Sequence, residues 1–215
     1  MLFRNRHEAG EKLADALVEQ GVTGAEPLVL GLPRGGVPVA APVARRLGAP
    51  LDVLVVRKLG LPGHSELAMG AVAAGGVRVL NAEIVSAFAV DPSVIESVTE
   101  RELAELERRE KLYRGDRQPL PLEGREVVLV DDGLATGATM RVAVEALRLR
   151  QVERIVVAVP VAAPDVCAAL GAQADAAVCL ETPRDFNAVG RWYRDFPQTS
   201  DAEVQRLLVD SVAQD

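Results

Sequence analysis

Short apolar runs alternate with charged or Gly/Pro-rich stretches along this chain, dividing it into strand-like and helix-like segments. Between residues 6 and 20, Ala9, Leu13, Ala16 and Leu17 recur at helical spacing and Gly21 is placed to end the helix. That face predicts a helix lying on a sheet. Residues 28–32 read as a short buried strand, 33–36 as a turn, and 37–47 as a helix that Pro42 either kinks or starts. Residues 52–56 form a second apolar strand pattern. Residues 57–65, basic at first and then broken by Gly60, Pro62 and Gly63, predict a mobile loop. Residues 66–74 and 77–80 fit paired strands joined at Gly75 and Gly76, and 81–88 a capped short helix.

Residues 91–114 are rich in Glu and Arg, with Glu105/Arg109 and Glu107/Lys111 four apart, and predict a long, solvated helix. Its apolar side is thin: Ile95, Val98, Leu103, Leu106 and Leu112. After a linker at 119–124, strand and helix patterns alternate: 127–131 with 137–150, 154–160 with 164–170, then 176–180. Such a βαβαβ run implies an α/β fold with a parallel sheet flanked by helices.

Composition agrees with this picture. The 215 residues are 49% hydrophobic but only 3% aromatic, as suits a core of Val, Leu, Ala and Ile in strands buried on both faces. A net charge of −7 argues against a broad nucleic-acid-binding face. An anionic ligand would therefore need a local device. Cys167 and Cys179 lack CxxC spacing and are expected as reduced, buried thiols. The first residues show no apolar signal core and no stretch has the length of a membrane span, so a cytoplasmic setting with no membrane partner is expected.

The chemistry concentrates in residues 127–140, VVLVDDGLATGATM. Four apolar residues make a buried strand, and Asp131 and Asp132 stand where it leaves the sheet, the edge at which open α/β sheets bind ligands. The turn through Ala135, Thr136, Gly137, Ala138 and Thr139 runs straight into a helix. Its N–H groups and two hydroxyls can converge on a phosphate. The helix dipole adds up to about 2 kcal/mol for a partly buried anion. Two ionised carboxylates beside a phosphate must face something hydroxylated or electropositive: a ribose diol, or Mg²⁺ held partly through water. The bland alternative is a polar Asp-Asp-Gly turn ending a strand. No P-loop, dinucleotide fingerprint or nucleophile elbow is present.

This segment resembles the phosphoribosyl pyrophosphate signature of type I phosphoribosyltransferases, nearest the adenine-using branch, and the order of elements from 28 to 180 is similar to that family's. The resemblance implies a Rossmann-like core in a single domain, 1–215, with a helical insertion at 81–120 and a C-terminal hood at 181–215. It implies that Asp131 and Asp132 hold the ribose hydroxyls, directly or through Mg²⁺. Ala135, Thr136, Gly137, Ala138 and Thr139 would wrap the 5-phosphate. Pro33, Arg34, Gly35 and Gly36 take the place of the family's pyrophosphate loop, which often holds a non-proline cis peptide, so Arg34 would meet the leaving group. Residues 57–66 match the flexible loop that closes over the site, with Arg57 and Lys58 at its base. Ala135 stands where 6-oxopurine enzymes carry a general-base Asp.

The reaction implied is displacement of pyrophosphate from phosphoribosyl pyrophosphate by a ring nitrogen of a small acceptor such as a nucleobase. Without a carboxylate at position 135, 6-oxopurines are not expected to react by that family route. Phe186, Trp192, Tyr193 and Phe196 cluster near the carboxyl end, where a ring could stack on the acceptor or simply plug the core. His64 lies in the loop segment with no distinguishing pattern, and a homodimer would be in keeping with the family. Two rival functions remain: a regulator of the same fold that senses phosphoribosyl pyrophosphate and binds RNA, and a Mg²⁺-dependent phosphohydrolase using Asp131.

Overall fold

The computed structural model describes residues 2–212 apart from 22, 23 and 25. The final residues of the 181–215 segment, 213–215, lie outside the described residues. The elements in chain order are α1 (Arg6–Glu19), β1 (Leu28–Gly31), α2 (Gly36–Leu47), β2 (Leu51–Val53), β3 (Val56–Leu61), β4 (His64–Ala73), β5 (Val77–Leu80), α3 (Ala82–Ala87) and α4 (Pro92–Arg114). There follow β6 (Glu126–Val130), α5 (Ala138–Leu149), β7 (Arg154–Val161), α6 (Pro164–Gln173), β8 (Ala176–Glu181), a 3₁₀ turn (Val189–Trp192) and α7 (Asp201–Val212).

Five strands form a parallel sheet in the order β2-β1-β6-β7-β8. Their residues sort by the period of two. Val29, Val128, Val130, Val156 and Ala158 face one core with α1, α2 and α7. Leu28, Leu30, Val127, Leu129, Ile155, Val157 and Val159 face the other with α5 and α6. This two-sided burial explains why the strands read as continuous apolar runs rather than alternating ones.

β1 and β6 are hydrogen-bonded neighbours, Leu28 opposite Val127 and Gly31 opposite Val130. From β1 the chain continues to β2 on one side, and from β6 to β7 on the other. The strand order thus reverses between them, and at such a switch point the loops leaving the carboxyl ends part to leave a crevice.

Several expectations need correction. The strand foreseen at 52–56 ends at Val53, and Val56 already begins β3 of a separate antiparallel sheet, β3-β4-β5. The mobile loop foreseen at 57–65 is therefore a β-hairpin turning at Pro62 and Gly63, with its register shifted around Gly60. Pairing with β4 and packing against α4 and α5 hold it, and such contacts leave no mark in its local composition. Pro42 lies within α2 and does not start it.

Cys167 and Cys179 are bonded to each other and half-buried, not reduced thiols. α6 runs back along β8, so the helix–strand connection brings them together with Cα atoms 6.6 Å apart, which CxxC spacing does not anticipate. Helix α4 is less solvated than its charges suggest: Thr99, Glu102 and Tyr113 are buried beside Ile95, Val98 and Leu106. It packs on β3, β4 and α7. Among the described residues, no helix is long and apolar enough to cross a membrane.

Candidate functional site

Two loops meet at the carboxyl edge of β1 and β6, and the longer of them carries both the acidic pair and the turn into α5. The first, Pro33–Gly36, joins β1 to α2 and contains a cis peptide between Pro33 and Arg34. It presses against the acidic pair so closely that a Cβ on Gly35 would collide with Asp132 Oδ2, and one on Gly36 would lie 2.7 Å from the Val130 carbonyl. Only glycine permits that approach. Asp131, Asp132 and Arg34 therefore occupy the same edge of the sheet.

The second loop carries the acids. Asp131 Oδ1 accepts a 2.8 Å bond from the Asp132 N–H. Asp132 Oδ2 accepts from Arg6 Nε at 2.8 Å, and Arg6 Nη2 lies at the same distance. The Asp132 carbonyl accepts a 2.6 Å bond from the Tyr193 hydroxyl. Burial raises the pKa of Asp131 well above its usual value, and the charge of Asp132 adds to the rise. Burial also raises Asp132, although Arg6 pulls it back. Tyr193 is raised chiefly by burial. The acids are thus held at a cost that a diol or a cation would relieve.

The same loop ends in the turn that precedes α5. Gly137 caps the helix in the left-handed region at φ +68°, and a Cβ there would lie 2.6 Å from Val166 Cγ1 of α6. Because α5 starts at Ala138, its first-turn N–H groups have no preceding helical carbonyl and point out of the helix end. Thr136 is exposed and its Oγ1 lies 3.4 Å from the Ala138 N–H. Arg141 donates to the Thr136 carbonyl, holding the turn from the first coil of α5.

Arg57 and Lys58 part company here, because neighbouring strand residues point to opposite faces. Arg57 turns to α4, where Nε and Nη2 donate to Glu102 Oε2 at 3.0 and 2.7 Å. Arg57 thus stands at the base of the β3–β4 hairpin with its guanidinium directed to α4 and not to the groove beside Thr136. Lys58 borders a groove of about 360 Å³ together with Thr136, Ala138 and Thr139. His64 stacks edge-on against Phe88, away from this groove's lining.

The aromatic cluster behaves mainly as a plug. Tyr193 is 5% exposed and packs with Phe3 and Phe196, ring centroids 5.5 and 4.9 Å apart, so its ring is not presented to an acceptor. Trp192 packs against the same cluster and is half-buried. Phe186 is half-buried too. Arg6 is the residue that sequence reasoning missed. Its guanidinium lies 3.7 Å from the Phe196 ring and donates to the Pro197 carbonyl at 2.7 Å as well as to Asp132. Nothing near position 6 signals a partner 126 residues away.

The family model of the phosphoribosyl transferase domain matches residues 3–187, a stretch that includes both loops. The chain belongs to the phosphoribosyl transferase domain family. A Mycobacterium tuberculosis protein provisionally named a phosphoribosyl transferase is 49% identical over 207 residues, which cover 96% of this chain and 46% of the relative. The chain thus spans about half the length of the curated relatives it matches. A crystal structure of a Thermus thermophilus protein is similar over 98% of this chain and 99% of its own, with 46% identity and a TM-score of 0.85. An Aquifex aeolicus structure with 13% identity and a TM-score of 0.52 covers 86% of this chain and 78% of its own, and shares the fold.

Proposed function

We propose that this phosphoribosyl transferase domain moves the 5-phosphoribosyl group from phosphoribosyl pyrophosphate to a ring nitrogen of a small acceptor, a nucleobase in the simplest case, and releases pyrophosphate. One observation supports this above the others: the Arg34 loop, the acidic pair and the Gly137 turn all leave the carboxyl ends of β1 and β6, at the switch point of the sheet. A phosphate, a diol and a pyrophosphate are the three groups of the donor, and each has a chemically matched segment on these two loops.

In this reading the Ala135–Thr139 turn seats the 5-phosphate through N–H groups and the hydroxyls of Thr136 and Thr139, with Lys58 supplying the nearby positive charge. Asp131 and Asp132 accept from the ribose hydroxyls. Arg34 stabilises charge gathering on the departing pyrophosphate, where loss of one such donor typically costs about 3 kcal/mol in the barrier. Arg57 is committed to Glu102 and has no part in this scheme.

A magnesium ion fits the site in one manner only. Among the described residues no three His, Cys, Asp or Glu side chains gather to cage a metal. The raised acidic pair offers two carboxylates, with Asp132 already bound by Arg6, so Asp131 is the better ligand and substrate oxygens and water would complete the shell. When bound, the ion would neutralise charge on the leaving group.

Adenine is the favoured acceptor, because Ala135 offers no carboxylate to take a proton from a 6-oxopurine. A panel of nucleobases with phosphoribosyl pyrophosphate and Mg²⁺, scored for pyrophosphate release, tests the proposal. Release with adenine and none with hypoxanthine or guanine is expected. Tight donor binding without turnover on any base would favour the sensing role, and phosphate release from simple esters the hydrolase.

A further inference from the structure

The family match ends at residue 187, yet the chain beyond it brings a carboxylate to the loop assigned to pyrophosphate. α7 begins with Asp201, whose Oδ1 lies 3.9 Å from Arg34 Nη1 and accepts a 2.9 Å bond from the Tyr113 hydroxyl. Tyr113 is 2% exposed, so α4 fixes the carboxylate from behind. Arg34 and Asp201 side chains remain 35% and 45% exposed. At 3.9 Å the charges attract without the contact needed for a hydrogen bond. Such a pair can be opened easily by a ligand with more charge and better-placed oxygens.

We propose that Asp201 acts through Arg34 as a standing counter-charge that weakens Arg34's grip on pyrophosphate so that this product leaves. The inference rests on the reading of Arg34 given above. A purely structural carboxylate would support the loop, and its loss would weaken every ligand. A counter-charge does the opposite for pyrophosphate alone.

Calorimetric titration of the whole chain with inorganic pyrophosphate, in buffer containing magnesium chloride, separates the two. D201N keeps an oxygen for Tyr113 and should bind pyrophosphate about twofold to fivefold more tightly than the unsubstituted protein, the range expected for a solvent-screened ion pair. The gain should shrink as salt is raised, and affinity for ribose 5-phosphate should be unchanged. D201S, which keeps a helix-starting residue, should behave alike and serves if D201N does not fold. Unchanged or weaker pyrophosphate binding in a folded variant, while R34A binds it poorly, overturns the role of Asp201 alone. Equal binding by R34A and the unsubstituted protein would instead overturn the pyrophosphate role of Arg34, and this inference with it.

Discussion

Burial raises Asp131 above the usual 3.8, so the folded chain takes up a proton that the unfolded chain gives away. Stability from that uptake is complete below the unfolded value and is lost as pH rises through the folded one. Carboxylates shifted the other way act in a different window. Glu105 is pulled to about 2 by Arg108 and Arg109, and Asp91 is lowered by Ser93, so both lose their contribution only in stronger acid. Above about pH 4 the acidic pair should therefore dominate the slope. Asp131→Asn is expected to stabilise the protein by about 1 kcal/mol at pH 7, a typical gain on relieving a strained site. The gain should fade toward pH 4 while ribose 5-phosphate binding is lost. Urea melts at several pH values check the first effect and calorimetry the second; a variant that is less stable at pH 7 would contradict the burial argument.

Among the elements, the β3–β4 hairpin shows how a period decides chemistry. Arg57 and Lys58 are adjacent in sequence and cannot serve the same site, since one faces α4 and the other the α5 turn. Lys58→Ala is expected to weaken ribose 5-phosphate binding by about 1 kcal/mol, roughly fivefold, as befits an exposed charge near a phosphate, with little change in stability. Arg57→Ala should do the reverse, costing about 2 kcal/mol of stability because Glu102, at 11% side-chain exposure, loses its two-pronged partner. Denaturant melts should thus single out Arg57→Ala, and phosphate-ligand titrations Lys58→Ala. Matching losses of binding in both variants would show that the hairpin acts as one unit.

The disulfide belongs to the same scale, as it ties α6 to β8 across 12 residues of chain. Chain-entropy arguments give about 3 kcal/mol for closing a loop of that order. A C167S/C179S double substitution should lower stability by up to that amount in non-reducing buffer, and dithiothreitol should erase the difference from the unsubstituted protein. Legibility varies with the range of the forces involved. The parallel strands, the Asn81 cap and the α5 turn are written in consecutive residues, and so could be read. The hairpin, the Cys167–Cys179 pair and the Arg6–Asp132 clamp depend on partners remote in sequence or on another element's packing, and local pattern carries no trace of them.

For the molecule as a whole, the boundary of the family match invites a shorter chain ending at residue 187, and the packing argues against it. Residues beyond that point complete the core. Val204 and Leu208 are fully buried against the α2 side of the sheet, and Tyr193 is buried over Phe3 while holding the Asp132 carbonyl. The backbone joins the two ends as well, since the Phe3 N–H donates to the Trp192 carbonyl and the Arg194 N–H to the Phe3 carbonyl, both at 2.8 Å. Each large apolar side chain so placed contributes about 1.5–3 kcal/mol by burial. Losing three of them, and exposing Phe3, would remove an amount comparable to the roughly 5–15 kcal/mol that holds a domain folded. A chain ending at residue 187 should therefore lack a cooperative thermal transition and bind a hydrophobic dye, with Arg6 left to pair with Asp132 without its Pro197 and Phe196 supports. A sharp transition within a few degrees of the full chain's, with ribose 5-phosphate binding intact, would show instead that the tail is dispensable and that the site stands on the matched residues alone.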